Sequence, residues 1–101
     1  MARVAVTDGI DEKAAEKLRE LGHEVVIGHH DLNSLENGSL SSFDIVVIRS
    51  ATKLNSEVIN VNSSGSGSLS MIIRAGVGVD NIDISAATSC GVRVCNTPGA
   101  S

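Results

Sequence analysis

The run Phe43-Asp44-Ile45-Val46-Val47-Ile48 is apolar at every position but one. It has the length of a strand rather than a helix, and its last four residues are β-branched, which suits a pleated backbone. A strand with one wet face would alternate apolar and polar residues. This one does not, so it predicts a strand covered on both faces, as in a parallel sheet sandwiched by helices. Outward from it, residues 3–7, 24–27, 70–73 and 92–95 read as four more short strands. Helical patterns fill the gaps between them. Over residues 11–21, Ala14, Ala15, Leu18 and Leu21 share one face, while the charged residues occupy the rest. Asp11 is the expected N-cap and Gly22 the expected stop. A weaker helix in 28–42 rests on Leu32 and Leu35 and breaks near Asn37-Gly38. Residues 55–61 form a short helix capped by Asn55, and residues 83–90 another, capped by Asp83 and stopped by Gly91. Right-handed crossovers then predict an α/β fold: a flavodoxin-like, doubly wound parallel sheet of five strands, in the order 2-1-3-4-5.

The chain has 101 residues, which is one compact domain. Apolar residues make up 42%, yet there is one Phe and no Trp or Tyr, so the core must be aliphatic. A net charge of −4 argues against a broad nucleic-acid surface or a polybasic membrane anchor. No apolar run approaches the ~20 residues that span a bilayer. The opening MARVAVTDG lacks the apolar core of a secretory signal, and two cysteines make no disulfide framework, so a cytoplasmic location is expected. Cys90 and Cys95 are expected to be buried structural residues, with no activating base for either. His29 and His30 read as solvent-exposed loop histidines, and no third ligand turns them into a metal site. The stretch Asn62-Ser63-Ser64-Gly65-Ser66-Gly67-Ser68 has the composition of a flexible linker, natural or engineered.

Ligands of open parallel sheets bind beyond the C-terminal ends of the strands. Arg49 follows Ile48 directly and Arg74 follows Ile73, so two arginines reach that edge from neighbouring strands. A planar guanidinium can grip carboxylate or phosphate in a bidentate manner. The Gly76-Val77-Gly78 turn adds backbone N–H groups beside them. The expected ligand is a small, doubly anionic molecule. The plainer alternative is that each arginine caps a sheet edge or pairs with a nearby acid. Gly76-Val77-Gly78 is not a dinucleotide fingerprint, because Asn81 stands where the third glycine belongs. A phospho-receiver site is also excluded, since Arg49-Ser50 and Asn96-Thr97 occupy the positions of its acceptor Asp and its Lys.

Three segments carry a resemblance. Ile48-Arg49-Ser50-Ala51-Thr52-Lys53, the run from Arg74 to Asp83 (RAGVGVDNID) and Asn96-Thr97-Pro98-Gly99 resemble, in order and spacing, the matching segments of D-3-phosphoglycerate dehydrogenases, members of the D-isomer-specific 2-hydroxyacid dehydrogenase family. The resemblance covers the whole chain, residues 1–101, but only the flavodoxin-like substrate-binding portion of that family. It implies that the NAD-binding Rossmann domain, and the catalytic Arg, Glu and His, belong to sequence outside this chain. No catalytic residue and no metal ligand is therefore expected within it. By the same resemblance, Arg49 and Ser50 would help bind the substrate phosphate and Arg74 would add positive charge. The backbone of Gly76, Val77 and Gly78 would meet the substrate carboxylate, with Val77 near the nicotinamide end of NAD. Asn96 would shape the cleft and hinge. The implied partners are a small anionic substrate and, for the whole enzyme, further copies of itself, with no nucleic acid or membrane. The implied reaction is hydride transfer at C2 of 3-phosphoglycerate in the phosphorylated route to serine. The remaining alternatives are a free-standing small-anion-binding domain and an engineered scaffold without catalysis.

Overall fold

The computed structural model describes residues 2–8, 12–49, 52–64, 67–74 and 81–96. Strands and helices alternate along them: β1 (Arg3–Val6), α1 (Glu12–Glu20), β2 (Glu24–Ile27), α2 (Leu32–Glu36), β3 (Ile45–Ile48), α3 (Ser56–Ser63), β4 (Met71–Arg74), α4 (Ile84–Ser89) and β5 (Arg93–Asn96). All pairings are parallel and the sheet order is β2-β1-β3-β4-β5, as expected. β3 starts at Ile45 rather than at Phe43. The Phe43 N–H turns back to the Leu40 carbonyl, while Asp44 makes the transition: its N–H donates to the Arg3 carbonyl at 2.9 Å, its carbonyl accepts the Met71 N–H at 3.2 Å, and its carboxylate accepts the Arg3 N–H at 2.9 Å. β4 and β5 each run one residue further than expected, and Arg74 lies within the ladder between Ile48 and Asn96.

Only the first crossover, from β1 to β2, runs toward one edge; the other three run toward the opposite edge. Right-handed crossovers then place α1 on one face of the sheet and α2, α3 and α4 on the other. The buried clusters follow that division. Ala5, Val46, Ile48 and Ile72 pack with Leu35, Val58, Ile59 and Ala87 from the three helices. Val4, Val6, Val25 and Val47 pack with Ala15 of α1. Successive strand residues face opposite ways, which is why Ala5 and its neighbours Val4 and Val6 fall in different clusters.

Three expectations about burial change here. β2 is an edge strand, and Val26 and Ile27 are 40% and 49% exposed rather than covered on both faces. Leu21 lies past the last turn of α1 and is 67% exposed, so Ala15 and Leu18 carry the apolar face without it. Cys95 is exposed, because Val94 takes the face toward the larger cluster and leaves Cys95 on the other. Cys90 is half-buried against that larger cluster, so the two thiols stand on different sides of the sheet.

The helix ends obey local chemistry. The Asn55 and Asp83 side chains accept the N–H groups of Val58 (2.9 Å) and Ala86 (3.0 Å), and Asp31 caps α2 in the same way through Ser34 at 2.7 Å. Gly22 and Gly91 close α1 and α4 at φ +94° and +75°, where a side chain would be strained. The expected cap Asp11 lies outside the described residues.

The linker reading of 62–68 fails over its first residues. α3 runs to Ser63, and Asn62 is fully buried. Its Oδ1 accepts the Leu40 N–H at 2.8 Å, and its Nδ2 donates to the carbonyls of Leu35 (3.0 Å) and Val58 (2.7 Å). The return to β4 is bonded as well: Ser68 N–H reaches the Ser41 carbonyl at 2.7 Å, and Leu69 N–H that of Asn62 at 3.3 Å. Gly67 packs so tightly on the end of α3 that a Cβ would lie 2.3 Å from the Asn62 carbonyl oxygen. Residues 65–66 lie outside the described residues.

Candidate functional site at the C-terminal sheet edge

β1, β3, β4 and β5 end side by side, and the chain leaves them at Thr7-Asp8, Arg49, after Arg74 and after Asn96. Arg74 is half-buried and held in register with Ile48 of β3. Arg49 is the next residue along and is exposed. Adjacent strands thus deliver both arginines to one edge. Asn96 is the last residue of β5 and pairs with Arg74. Ser50, Gly76, Val77 and Gly78 lie outside the described residues.

Two side chains not singled out by the sequence organise this edge. The first is Asp8. Its Oδ2 accepts the backbone N–H groups of Arg49 (2.8 Å) and Thr52 (2.9 Å), and its Oδ1 accepts the Thr52 hydroxyl at 2.6 Å. The Thr52 hydroxyl has one proton, already given to Asp8, so the buried Thr7 hydroxyl at 2.7 Å must donate to it. A directed chain therefore runs from Thr7 through Thr52 to Asp8. Burial raises the Asp8 pKa. The hydrogen bonds from the Thr52 hydroxyl and the Arg49 and Thr52 amides outweigh it, with a smaller contribution from His29, and the carboxyl sits below its ordinary value. Asp8 is ionised at neutral pH, and its charge is directed at the main chain that follows β3.

The second is Asn81. Its Nδ2 donates to the carbonyls of Arg49 (2.7 Å) and Thr52 (2.5 Å), and its Oδ1 accepts from Arg74 Nε at 2.9 Å. Its own backbone is fixed by a parallel bridge between Leu54 and Ile82, in which Leu54 N–H bonds the Asn81 carbonyl (2.8 Å) and Asp83 N–H the Leu54 carbonyl (2.9 Å). Beside that bridge lies an open depression of about 590 Å³, lined by Lys53, Leu54, Asn55, Asn81, Ile82 and Asp83. The Arg49 guanidinium makes no hydrogen bond or ion pair with the described residues, and no described contact joins it to that of Arg74.

The histidines do not converge on this edge as ligands, and among the described residues no three His, Cys, Asp or Glu side chains could share a metal. His29 is exposed, as expected. His30 is not: it is half-buried, its Nδ1 lies 2.8 Å from Ser39 Oγ, and its ring meets Phe43 edge-on at 6.5 Å. No helix among the described residues is long and apolar enough to cross a membrane.

Taken together, these observations define a doubly wound parallel α/β domain with two arginines at its C-terminal edge and an ionised, hydrogen-bonded carboxylate behind them. The family model for the catalytic domain of D-isomer specific 2-hydroxyacid dehydrogenases matches residues 4–101, and the chain belongs to that family. It is 42% identical over 102 residues to the D-3-phosphoglycerate dehydrogenase of Methanocaldococcus jannaschii, covering 100% of this chain and 18% of that protein. It is 38% identical to the hydroxypyruvate reductase of Thermotoga maritima, covering 98% of this chain and 31% of that protein. The NAD+-bound 3-phosphoglycerate dehydrogenase of Entamoeba histolytica superposes with a TM-score of 0.77 at 31% identity, over 97% of this chain and 33% of that one. The chain thus spans less than a third of the length of these two curated relatives.

Proposed function

We propose that this chain is the substrate-binding portion of an NAD-dependent D-3-phosphoglycerate dehydrogenase and is catalytically incomplete by itself. The observation that carries this reading is the delivery of Arg49 and Arg74 to one edge by adjacent strands, in a chain whose relatives include enzymes of that name. Arginine rather than lysine suits a phosphate and a carboxylate, since its fork meets both in a bidentate manner. Asp8 directs its charge at three main-chain and hydroxyl donors and makes no ion pair with Arg49.

The depression among the described residues is open to solvent rather than enclosed. NAD supplies the hydride acceptor when bound, and the rest of the enzyme holds it. In this chain Arg49 and Arg74 bind and orient the anion. Asp8 is engaged by its three donors, and Asn81 does not titrate.

Titration of the 15N-labelled chain with 3-phosphoglycerate tests this. Saturable shifts at Arg49 and Arg74 are expected with weak affinity, at least ~10-fold weaker in Arg49→Ala or Arg74→Ala, the loss that follows from removing one charge-assisted contact. Hydroxypyruvate, which has no phosphate, is the second ligand, because a hydroxypyruvate reductase is also a relative. Equal responses to the two would remove the phosphate from the reading. Micromolar affinity would favour a self-sufficient anion-binding module, and NADH formation by the chain alone would overturn the claim of incompleteness.

A further inference from the structure

The segment from Arg49 to Thr52 is held at both ends, and from two sides. Asp8 takes its N–H groups and Asn81 its carbonyls. Asn81 also takes Arg74 Nε, on the neighbouring strand. We infer that Asn81 is a positioning residue that couples Arg74 to the Arg49 loop, so that the two cations meet an anion as one preorganised unit. This rests on the anion-binding reading above and names the residue on which its geometry depends.

The chemistry of the carboxamide is specific to the task. Two carbonyls need two donors and one Nε–H needs an acceptor, and a single Asn supplies all three in one plane. Only one orientation of the amide satisfies every partner, which also fixes which atom is oxygen. An aspartate would keep the acceptor for Arg74 but turn a charge toward two carbonyl oxygens. An alanine would remove all three contacts. Because the Leu54–Ile82 bridge fixes its backbone, Asn81 holds this position before any ligand arrives. An arginine already restrained gives up less rotamer freedom on binding than one that must first be ordered.

The test uses the 101-residue chain, with Asn81→Ala and Asn81→Asp as variants and 3-phosphoglycerate as the probe. Two signals are read: the dissociation constant, and the hydrogen-exchange rate of the Arg74 Nε–H. In Asn81→Ala the affinity should fall about 10-fold and the Nε–H should exchange faster, since a hydrogen bond to a charged donor is lost. In Asn81→Asp the Nε–H should stay protected while the affinity still falls, because the loop carbonyls have lost their donors. A merely structural role would lower the melting temperature and leave the affinity of the folded protein within twofold of wild type, and that result would overturn the inference. If wild type binds no anion at all, the functional reading fails. The coupling itself is then judged by the exchange rate alone: acceleration in Asn81→Ala upholds it, and an unchanged rate refutes it. Should Asn81→Ala not fold, Asn81→Asp carries the test, and wild-type affinity in that variant would refute the coupling.

Discussion

Asn62 shows how much one buried side chain can decide. Its amide satisfies one N–H and two carbonyls between α2, α3 and the turn before β3, and it is fully buried while doing so. Asn62→Ala would strand the Leu40 N–H without water, while the Leu35 carbonyl keeps the Gly38 N–H, at a cost of about 1–3 kcal/mol. Urea unfolding should show this as a lower midpoint at an unchanged slope; a loss under ~1 kcal/mol would mean that water had replaced the amide. His30 makes a different prediction. Burial, and then the neighbouring His29, push its pKa below the ordinary 6.5, with Asp31 opposing. The folded chain thus binds this proton less readily than the unfolded chain. Its contribution to stability is complete above pH 6.5 and shrinks as pH falls from there toward the lowered folded value. Asp8 and Asp31 are lowered from 3.8, so their stabilisation is lost only further down, as pH drops through that value and below. Melting temperatures followed from about pH 7.5 to about pH 5 should therefore decline less steeply in His30→Gln than in wild type. Parallel curves would show that His30 is not responsible.

At the scale of elements, what could be read in the sequence was what depends on neighbours in sequence. β3 announced itself through consecutive β-branched residues, and α3 and α4 through Asn55 and Asp83, each bonded to an N–H three residues on. The end of α3 was illegible because composition described it as linker, whereas Asn62 is held by partners 22 and 27 residues away. The exposure of β2 was legible only through the expected order 2-1-3-4-5, which makes it an edge, since its apolar run by itself matches that of an inner strand. The site divides in the same way. Arg49 and Arg74 stood out because each comes straight off an apolar strand. Asp8 carried no local signal of its role, and Asn81 looked only like a missing glycine. Their roles rest on contacts spanning 41 or 44 residues for Asp8, and 29 or 32 for the Asn81 bonds to the loop. No local pattern encodes these.

The whole molecule stands on two unequal cores. With a radius of gyration of 12.4 Å it is as compact as the ~13 Å expected of a folded chain this long, so its stability rests on how well those cores are filled. The larger core lies under three helices and reaches from Ala5 to Val92; the smaller lies under α1. The Arg3–Glu24 pair that ties β1 to the edge strand adds little, because its side chains are 43% and 51% exposed and water screens the charges. Ile72 has no exposed surface and sits mid-strand in β4, where α3 and α4 cannot collapse into a void. Ile72→Ala should therefore cost about 3–4 kcal/mol, transfer and cavity together. Val25 is buried on the edge strand with only α1 above it, and Val25→Ala should cost about 1–2 kcal/mol, close to the transfer of two methyl groups alone. Against a domain stability of about 5–15 kcal/mol, the first substitution endangers folding and the second does not. Equal losses in chemical unfolding would mean that α1 packs its face as firmly as three helices pack theirs, and that the edge strand is as well supported as the centre.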